Sequence, residues 1–285
     1  LNKLTAVGLL TNTSASTARV CETLSSTDAL KRARIHPMAL LVALKTYKRG
    51  RGIRGTKLSW TPVGKVVDAL DGAFYLAFGA VEPTGKRLCL ALDVSGSMTS
   101  GVSSAPFLSC REAAAAMALV TANVEPCHEI VAFTSGEGGV MKRLFGKKGR
   151  ERGMSFQSGR FGFWDFGITP LSISPRQRLD DVVRLTSKLP FGGTDCALPM
   201  RGALATRTEV DGFVIYPDNE SWAGDLHVDQ ALNDYRQAMG IPAKLVAVAL
   251  SGDSFSVANP ADAGQMDVVG FDTATPDVIS DFLRD

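Results

Sequence analysis

Two kinds of apolar spacing divide the chain. Up to about residue 80 apolar residues return every three or four positions. In HPMALLVALKTYKRG, Met38, Leu41, Leu44 and Tyr47 stand three apart, and in TPVGKVVDALDGAFYLAF, Val63, Val66, Val67, Leu70 and Phe74 form one stripe. At 3.6 residues per turn such residues share one face, so both segments are predicted helices. Thr61 ahead of Pro62 predicts an N-cap with proline in the first turn, and Ser26 with Thr27 and Asp28 opens another helix. Short helices without strands predict a packed helical layer, the end of a longer helical array, although no clean repeat period is visible.

From Arg87 onward the spacing changes. RLCLALD (87–93), EIVAFT (129–134), GFVIYPD (212–218) and KLVAVAL (244–250) are continuous apolar runs, as strands buried on both faces should be. Between them REAAAAMALVTANV (111–124), RLDDVVRLTSKL (178–189) and VDQALNDYRQAM (228–239) read as amphipathic helices. Alternation of this kind predicts an α/β fold, a doubly wound and mainly parallel sheet covered by helices, preceded by the small all-helical segment. The expected division is 1–82 and 83–285. Ligands of such sheets meet the carboxyl ends of the strands.

Composition narrows the class. With 45% hydrophobic and 21% charged residues in 285, the chain is globular, large enough for one big domain or two ordinary ones. No apolar run approaches the roughly 18 to 20 residues of a membrane helix, and residues 1–20 lack a signal-peptide pattern. Five cysteines, odd in number and without a C-x-x-C pair, argue against a disulfide framework or a zinc site and predict a reducing, cytoplasmic location. The chain opens on Leu1 rather than Met, as a piece of something longer would. A net charge of +2 conceals a polarity: residues 1–200 hold 26 Lys or Arg against 15 Asp or Glu, residues 201–285 hold 5 against 14. An anion-seeking surface beside an acidic one follows.

The chemistry concentrates in LALDVSGSM (90–98). Asp93 ends the first apolar run, and Ser95 and Ser97 follow at every second position, so three oxygen side chains can turn inward at a strand end. PFGGTDC adds Thr194 behind two glycines, and IYPDNE adds Asp218 at the end of another run. Short Asp and Ser residues also cap turns, and the triplet alone would read that way. Three segments meeting at the topologically expected rim favour a metal cage instead. An all-oxygen donor set suits Mg²⁺, with Mn²⁺ as the alternative, and leaves a coordination position open to an incoming carboxylate or phosphate.

DVSGS with downstream GGTD and strand-end PDNE resembles the von Willebrand factor A domain and its metal-ion-dependent adhesion site. KRARIHPMALLVALKTYKRGRGIRG, AFYLAFGAVEPTGKRLCLALDVSGSM, GGTDCALPM, DNESWAG, YRQAMGIPAKLVAV and GFDTATPDVISDF together are similar to the C-terminal part of the Ro 60 kDa autoantigen family, the TROVE-module RNA-binding proteins. The likeness spans nearly all of the chain except about residues 136–170. It implies a non-enzymatic protein in which a ring of helical repeats is closed around the A domain. The ring's basic outer surface holds small noncoding Y RNAs, and its hole takes single-stranded ends of misfolded RNA. It implies metal-site roles for Asp93, Ser95, Ser97, Thr194 and Asp218. In bacterial members an exoribonuclease is tethered through the RNA, so an exoribonuclease is a candidate protein partner, and the metal site is a candidate dock for one. Departures are the missing bulk of the ring, Tyr216 and Pro217 where the family usually has Phe and Thr, and a glycine-rich, basic insertion after the second strand at about residues 136–170.

Two basic stretches could meet RNA. Lys31 to Lys57 hold nine Lys or Arg and no acid, including Lys31, Arg32, Arg34, Lys48, Arg49, Arg51 and Arg54. A solvated helix face is the ordinary reading of a charge run; the glycines in KRGRGIRG and the resemblance favour phosphate contact. The insertion, with seven Lys or Arg against two acids over residues 136–160, carries Lys142, Arg143, Lys147 and Lys148 among Phe145, Phe156, Phe161, Phe163 and Trp164. That mixture suits single strands and equally a solvated loop. GAVEPTGKR fails the P-loop spacing, VSGSM is not a hydrolase elbow, and His36, His128 and His227 stand in unlike contexts better suited to capping or packing. Two functions remain: a noncoding-RNA-binding component of a Ro-type ribonucleoprotein, or a metal-dependent protein-interaction module without RNA binding of its own.

Overall fold

Helix initiation and termination signals organise the first 83 residues. Ser14 and Ser26 each turn a side-chain oxygen onto a backbone N–H three residues on, at 3.2 Å in both cases, and so open α2 (Ala15–Leu24) and α3 (Thr27–Ala33). A short α1 (Asn2–Ala6) precedes them. His36 caps α4 (Pro37–Arg49), its Nδ1 accepting from the Met38 N–H at 3.2 Å. The α4 stripe of Met38, Leu41, Leu44 and Tyr47 is buried, and so are Val66, Leu70 and Phe74 of α5 (Gly64–Leu76). The computed structural model describes residues 1–52, 58–134, 167–189, 192–217, 224–252, 257–270 and 272–285.

The start of α5 differs from the sequence expectation. Thr61 does not cap α5, whose N-cap is Val63. The Trp60 N–H donates to the Gly50 carbonyl at 2.8 Å and the Val63 N–H donates to the Tyr47 hydroxyl at 3.3 Å, so residues 60–63 stay extended. The first helical bonds then run from Val66 and Val67 to the Val63 carbonyl. Gly50 makes this possible. Its φ is +71°, and a Cβ there would lie 2.7 Å from the Trp60 carbonyl oxygen. Just beyond it Arg51 and Ser59 form an isolated antiparallel bridge.

Contacts group residues 1–83 with 272–276, and residues 84–271 with 277–285. The second unit carries a six-stranded sheet in the order β5-β4-β1-β6-β7-β8. Its strands are β1 (Leu88–Asp93), β4 (His128–Phe133), β5 (Ile168–Pro170), β6 (Gly212–Tyr216), β7 (Lys244–Ala249) and β8 (Gln265–Val269). All neighbours pair in parallel except the short edge strand β5, which is antiparallel to β4. A small hairpin of β2 (Gly101–Val102) and β3 (Ala105–Ser109) leads into α6 (Cys110–Val124). The chain continues with α7 (Leu179–Ser187), α8 (Leu198–Ala205), α9 (Val228–Met239) and α10 (Thr275–Arg284).

This is the doubly wound, mainly parallel α/β sheet predicted from the apolar runs, the fold that the resemblance to the von Willebrand factor A domain implied. Every residue of β1 is buried. The order puts β4 on one side of β1 and the later β6 on the other, so β1 lies at the topological switch point. Four consecutive alanines, Ala113–Ala116, let α6 lie close against the sheet. Among the described residues no helix is long and apolar enough to cross a membrane.

Candidate functional site

Strand β1 delivers Asp93 to the carboxyl edge of the sheet, where the pairing with β4 ends. Its carboxylate is buried, with 2% exposure, yet polar groups of other residues reach it. The Ser95 N–H donates to Oδ1 at 2.7 Å, and the Thr194 hydroxyl donates to Oδ2 at 2.9 Å across 101 residues of sequence. The Ser95 and Ser97 hydroxyls are 3.0 Å apart. Ser95 and Thr194 are buried, whereas Ser97 is exposed, so the group opens to solvent on the Ser97 side.

Each partner is held from behind. The turn after Ser95 is a single tight helical turn, Gly96–Thr99, in which the Ser100 N–H and hydroxyl both donate to the Ser97 carbonyl at 2.8 and 2.7 Å. A capping box between Ser109 and Glu112 starts α6 beside this loop. Thr134, just beyond β4, donates to the Gly193 carbonyl at 3.3 Å and so fixes the Gly-Thr turn. Asp195 is buried next to Thr194; burial pushes its carboxyl above the usual range, against the lowering effect of the Ala197 N–H it accepts at 3.0 Å. Gly224, at φ +99°, lies so close that a Cβ would sit 2.5 Å from the Asp195 Oδ2.

Of the five residues expected to hold a metal, Asp93, Ser95, Ser97 and Thr194 come together, and Asp218 lies outside the described residues. The donor chemistry fits a hard cation. One carboxylate and three hydroxyls supply oxygen alone. Their 2.9 and 3.0 Å spacings match neighbouring ligands in an octahedron with bonds of about 2.0–2.1 Å. Among the described residues no three His, Cys, Asp or Glu side chains gather, so no competing zinc-type cluster is present there.

The cations divide similarly. Lys31, Arg32 and Arg34 are exposed at the end of α3, with Arg34 as its left-handed C-cap at φ 48°. Lys48, Arg49 and Arg51 are exposed at and just past the end of α4, where the Trp60 indole N–H donates to the Tyr47 carbonyl at 3.0 Å. Lysine and arginine in the last turn also complement the helix dipole. Arg54 and the insertion residues Lys142, Arg143, Lys147 and Lys148 lie outside the described residues. The histidines do structural work: His36 and His227 cap helices, and His128 bonds the Glu125 carbonyl at 2.7 Å.

A profile described as the Ro60 vWA domain matches residues 87–147 and 155–283. The chain is 44% identical to the RNA-binding protein RO60 of Deinococcus radiodurans, across 100% of its own length. The chain belongs to the Ro60 family. It is 39% identical to the RNA-binding protein RO60 of Caenorhabditis elegans over 99% of its length. Both are named as RNA-binding proteins, neither as an enzyme. The crystal structure of the Deinococcus radiodurans RO (RSR) protein superposes with a TM-score of 0.84 at 42% identity, covering 99% of this chain and 51% of that one. The chain spans 48% and 39% of the two curated Ro60 relatives, about half their length or less.

Sequence reasoning missed one residue of this site. Arg111, in the first turn of α6, donates from Nη2 to the Ser95 carbonyl at 3.2 Å. Its only sequence signal was a cation at a helix start, where the dipole disfavours positive charge.

Proposed function

We propose that this chain contributes an RNA-binding surface and a divalent-cation docking site to a cytoplasmic Ro-type ribonucleoprotein. Its ligands are small noncoding RNAs of the Y class and the single-stranded ends of misfolded RNA. The observation that carries the RNA reading is the set of six exposed cations, Lys31, Arg32, Arg34, Lys48, Arg49 and Arg51, in a chain 44% identical to a protein named for RNA binding. Residues 1–83 hold 12 Lys or Arg against 5 Asp or Glu, so these cations are opposed by few carboxylates of their own unit. Arg54, Lys142, Arg143, Lys147 and Lys148 extend the basic composition in sequence. Each phosphate neutralised releases counterions, which makes affinity fall with salt by about 0.7 log units per log unit of salt for a single strand.

Asp93, Ser95, Ser97, Thr194 and Asp218 would hold Mg²⁺, or Mn²⁺ in its place. The bound ion would act as a Lewis acid that fixes an incoming carboxylate. Burial of Asp93 beside exposed Ser97 supports a second role, capture of a protein partner, an exoribonuclease among the candidates, through an acidic side chain. That second function needs no RNA.

Electrophoretic shifts with a Y-type RNA and a single strand at several salt concentrations, with and without Mg²⁺, test both. Reversing Lys48, Arg49 and Arg51 to Glu should weaken binding at every salt and flatten the log–log slope by about 2, three contacts at 0.7 each. Asp93→Ala should leave RNA affinity unchanged and abolish Mn²⁺ binding. Binding that is absent, or insensitive to salt, rejects the RNA reading.

A further inference from the structure

Arg111 sits where helix chemistry disfavours it. The first turn of α6 exposes N–H groups whose partial charge is positive, and a cation there costs stability. A second cost is visible: its Nε is buried and finds no hydrogen-bond partner among the described residues. The other two nitrogens look in different directions. Nη2 donates to the Ser95 carbonyl at 3.2 Å, and Nη1 reaches the Ser187 hydroxyl at 3.4 Å. Ser187 is the last residue of α7, and its hydroxyl donates in turn to the Val183 carbonyl at 2.6 Å.

The Ser95 carbonyl already accepts the Met98 N–H at 3.3 Å. A guanidinium on the same oxygen fixes the plane of the Ser95–Gly96 peptide. That peptide separates the two serines whose hydroxyls stand 3.0 Å apart. Ser95 is further tied through its own N–H to Asp93. Rotation of the peptide would swing Ser97 away from Ser95 and spoil the oxygen spacing.

We propose that Arg111 is the positioning residue of the cation site: it clamps the ligand loop through the Ser95 carbonyl and ties that loop to the end of α7. The proposal rests on reading Asp93, Ser95, Ser97 and Thr194 as cation ligands. Electrostatics gives its test a sign. Removing a positive charge from beside a cation site should tighten cation binding if charge were its only contribution. Removing a clamp should loosen it.

The experiment is Mn²⁺ titration of the full chain followed by electron paramagnetic resonance, for wild type, Arg111→Gln and Arg111→Lys. Hydrogen exchange over residues 95–100 is measured in chelator. Glutamine should bind Mn²⁺ about tenfold more weakly and lysine, which keeps one reachable donor, about threefold more weakly. In the metal-free Arg111→Gln protein the Met98 amide should exchange faster. Should the glutamine variant not fold, the lysine variant decides alone. Binding by either variant as tight as wild type, or tighter, overturns the role of Arg111. A wild-type protein that takes no Mn²⁺ overturns the cation site itself, and with it this inference.

Discussion

Replacing Gly50 by alanine isolates what a close backbone approach is worth. Gly50 ends α4 at φ +71° and Gly240 ends α9 at φ +68°, so alanine meets the same left-handed penalty at both, about 1–2 kcal/mol. Around Gly240 nothing lies within 4 Å of a built Cβ, whereas at Gly50 the Trp60 carbonyl oxygen would lie 2.7 Å away. Carbon and oxygen come no closer than about 3.3 Å in ordinary contacts, so the chain must yield by about 0.6 Å. The Trp60 N–H bond to the Gly50 carbonyl, 2.8 Å long, is the contact that yields, at a further cost of about 1 kcal/mol. Gly50→Ala should therefore destabilise its helix by about 2–3 kcal/mol and Gly240→Ala by about 1–2 kcal/mol. Native-state hydrogen exchange reads each locally, at Pro37–Arg49 and at Val228–Met239, without assuming that both units unfold together. The Trp60 amide should lose its protection in Gly50→Ala alone. Equal losses of protection at the two helices, with the Trp60 amide still protected, would refute the argument.

Two further outcomes follow from buried and paired polar groups. The Tyr235 hydroxyl accepts the Val210 N–H at 2.7 Å and donates to the Thr208 carbonyl at 2.8 Å, in a side chain with no exposure. Tyr235→Phe should cost about 2 kcal/mol in denaturant unfolding, since both backbone groups lose their partner inside the protein. Asp211 accepts from the Arg87 side chain and backbone, and the Arg87 side-chain hydrogen bond holds its carboxyl below the usual range. Its stabilisation is complete above the unfolded carboxylate pKa of about 3.9 and is lost as pH falls through the lower folded value. Asp211→Asn should be less stable at pH 7, and the gap should close in strong acid; a gap constant down to pH 2 would contradict the pairing.

How much of this was legible depended on where each residue obtains its partners. LCLALD, EIVAF, GFVIY and KLVAVA declare themselves because both faces of a central strand are buried. QMDVV at 265–269 does not, since an edge strand with Asp267 and Gln265 in it lacks a continuous apolar run. The helix Leu198–Ala205 is short and contains Pro199 and Gly202, which a propensity reading discounts. Thr61 misled because local capping chemistry competes with tertiary bonds from Tyr47 and Gly50 that no window of sequence contains. Asp93, Ser95 and Ser97 were readable from their alternation at a strand end. Arg111 was not, because its target carbonyl lies 16 residues back on a different element.

The two candidate chemistries ask for opposite charge around them. A patch that binds phosphate needs exposed cations with few carboxylates near them, while a cation site needs buried carboxylate and hydroxyl oxygen with little positive charge close by. Here Lys31 to Arg51 fall in the unit of residues 1–83, and Asp93, Ser95, Ser97 and Thr194 fall in the unit of residues 84–271. Among the described residues Arg111 is a cation bonded directly to the ligand loop. Its electrostatic cost at that point is tolerable only if the geometry it imposes on Ser95 and Ser97 returns more than the charge takes away. That balance is what makes the sign of the Arg111→Gln effect decisive.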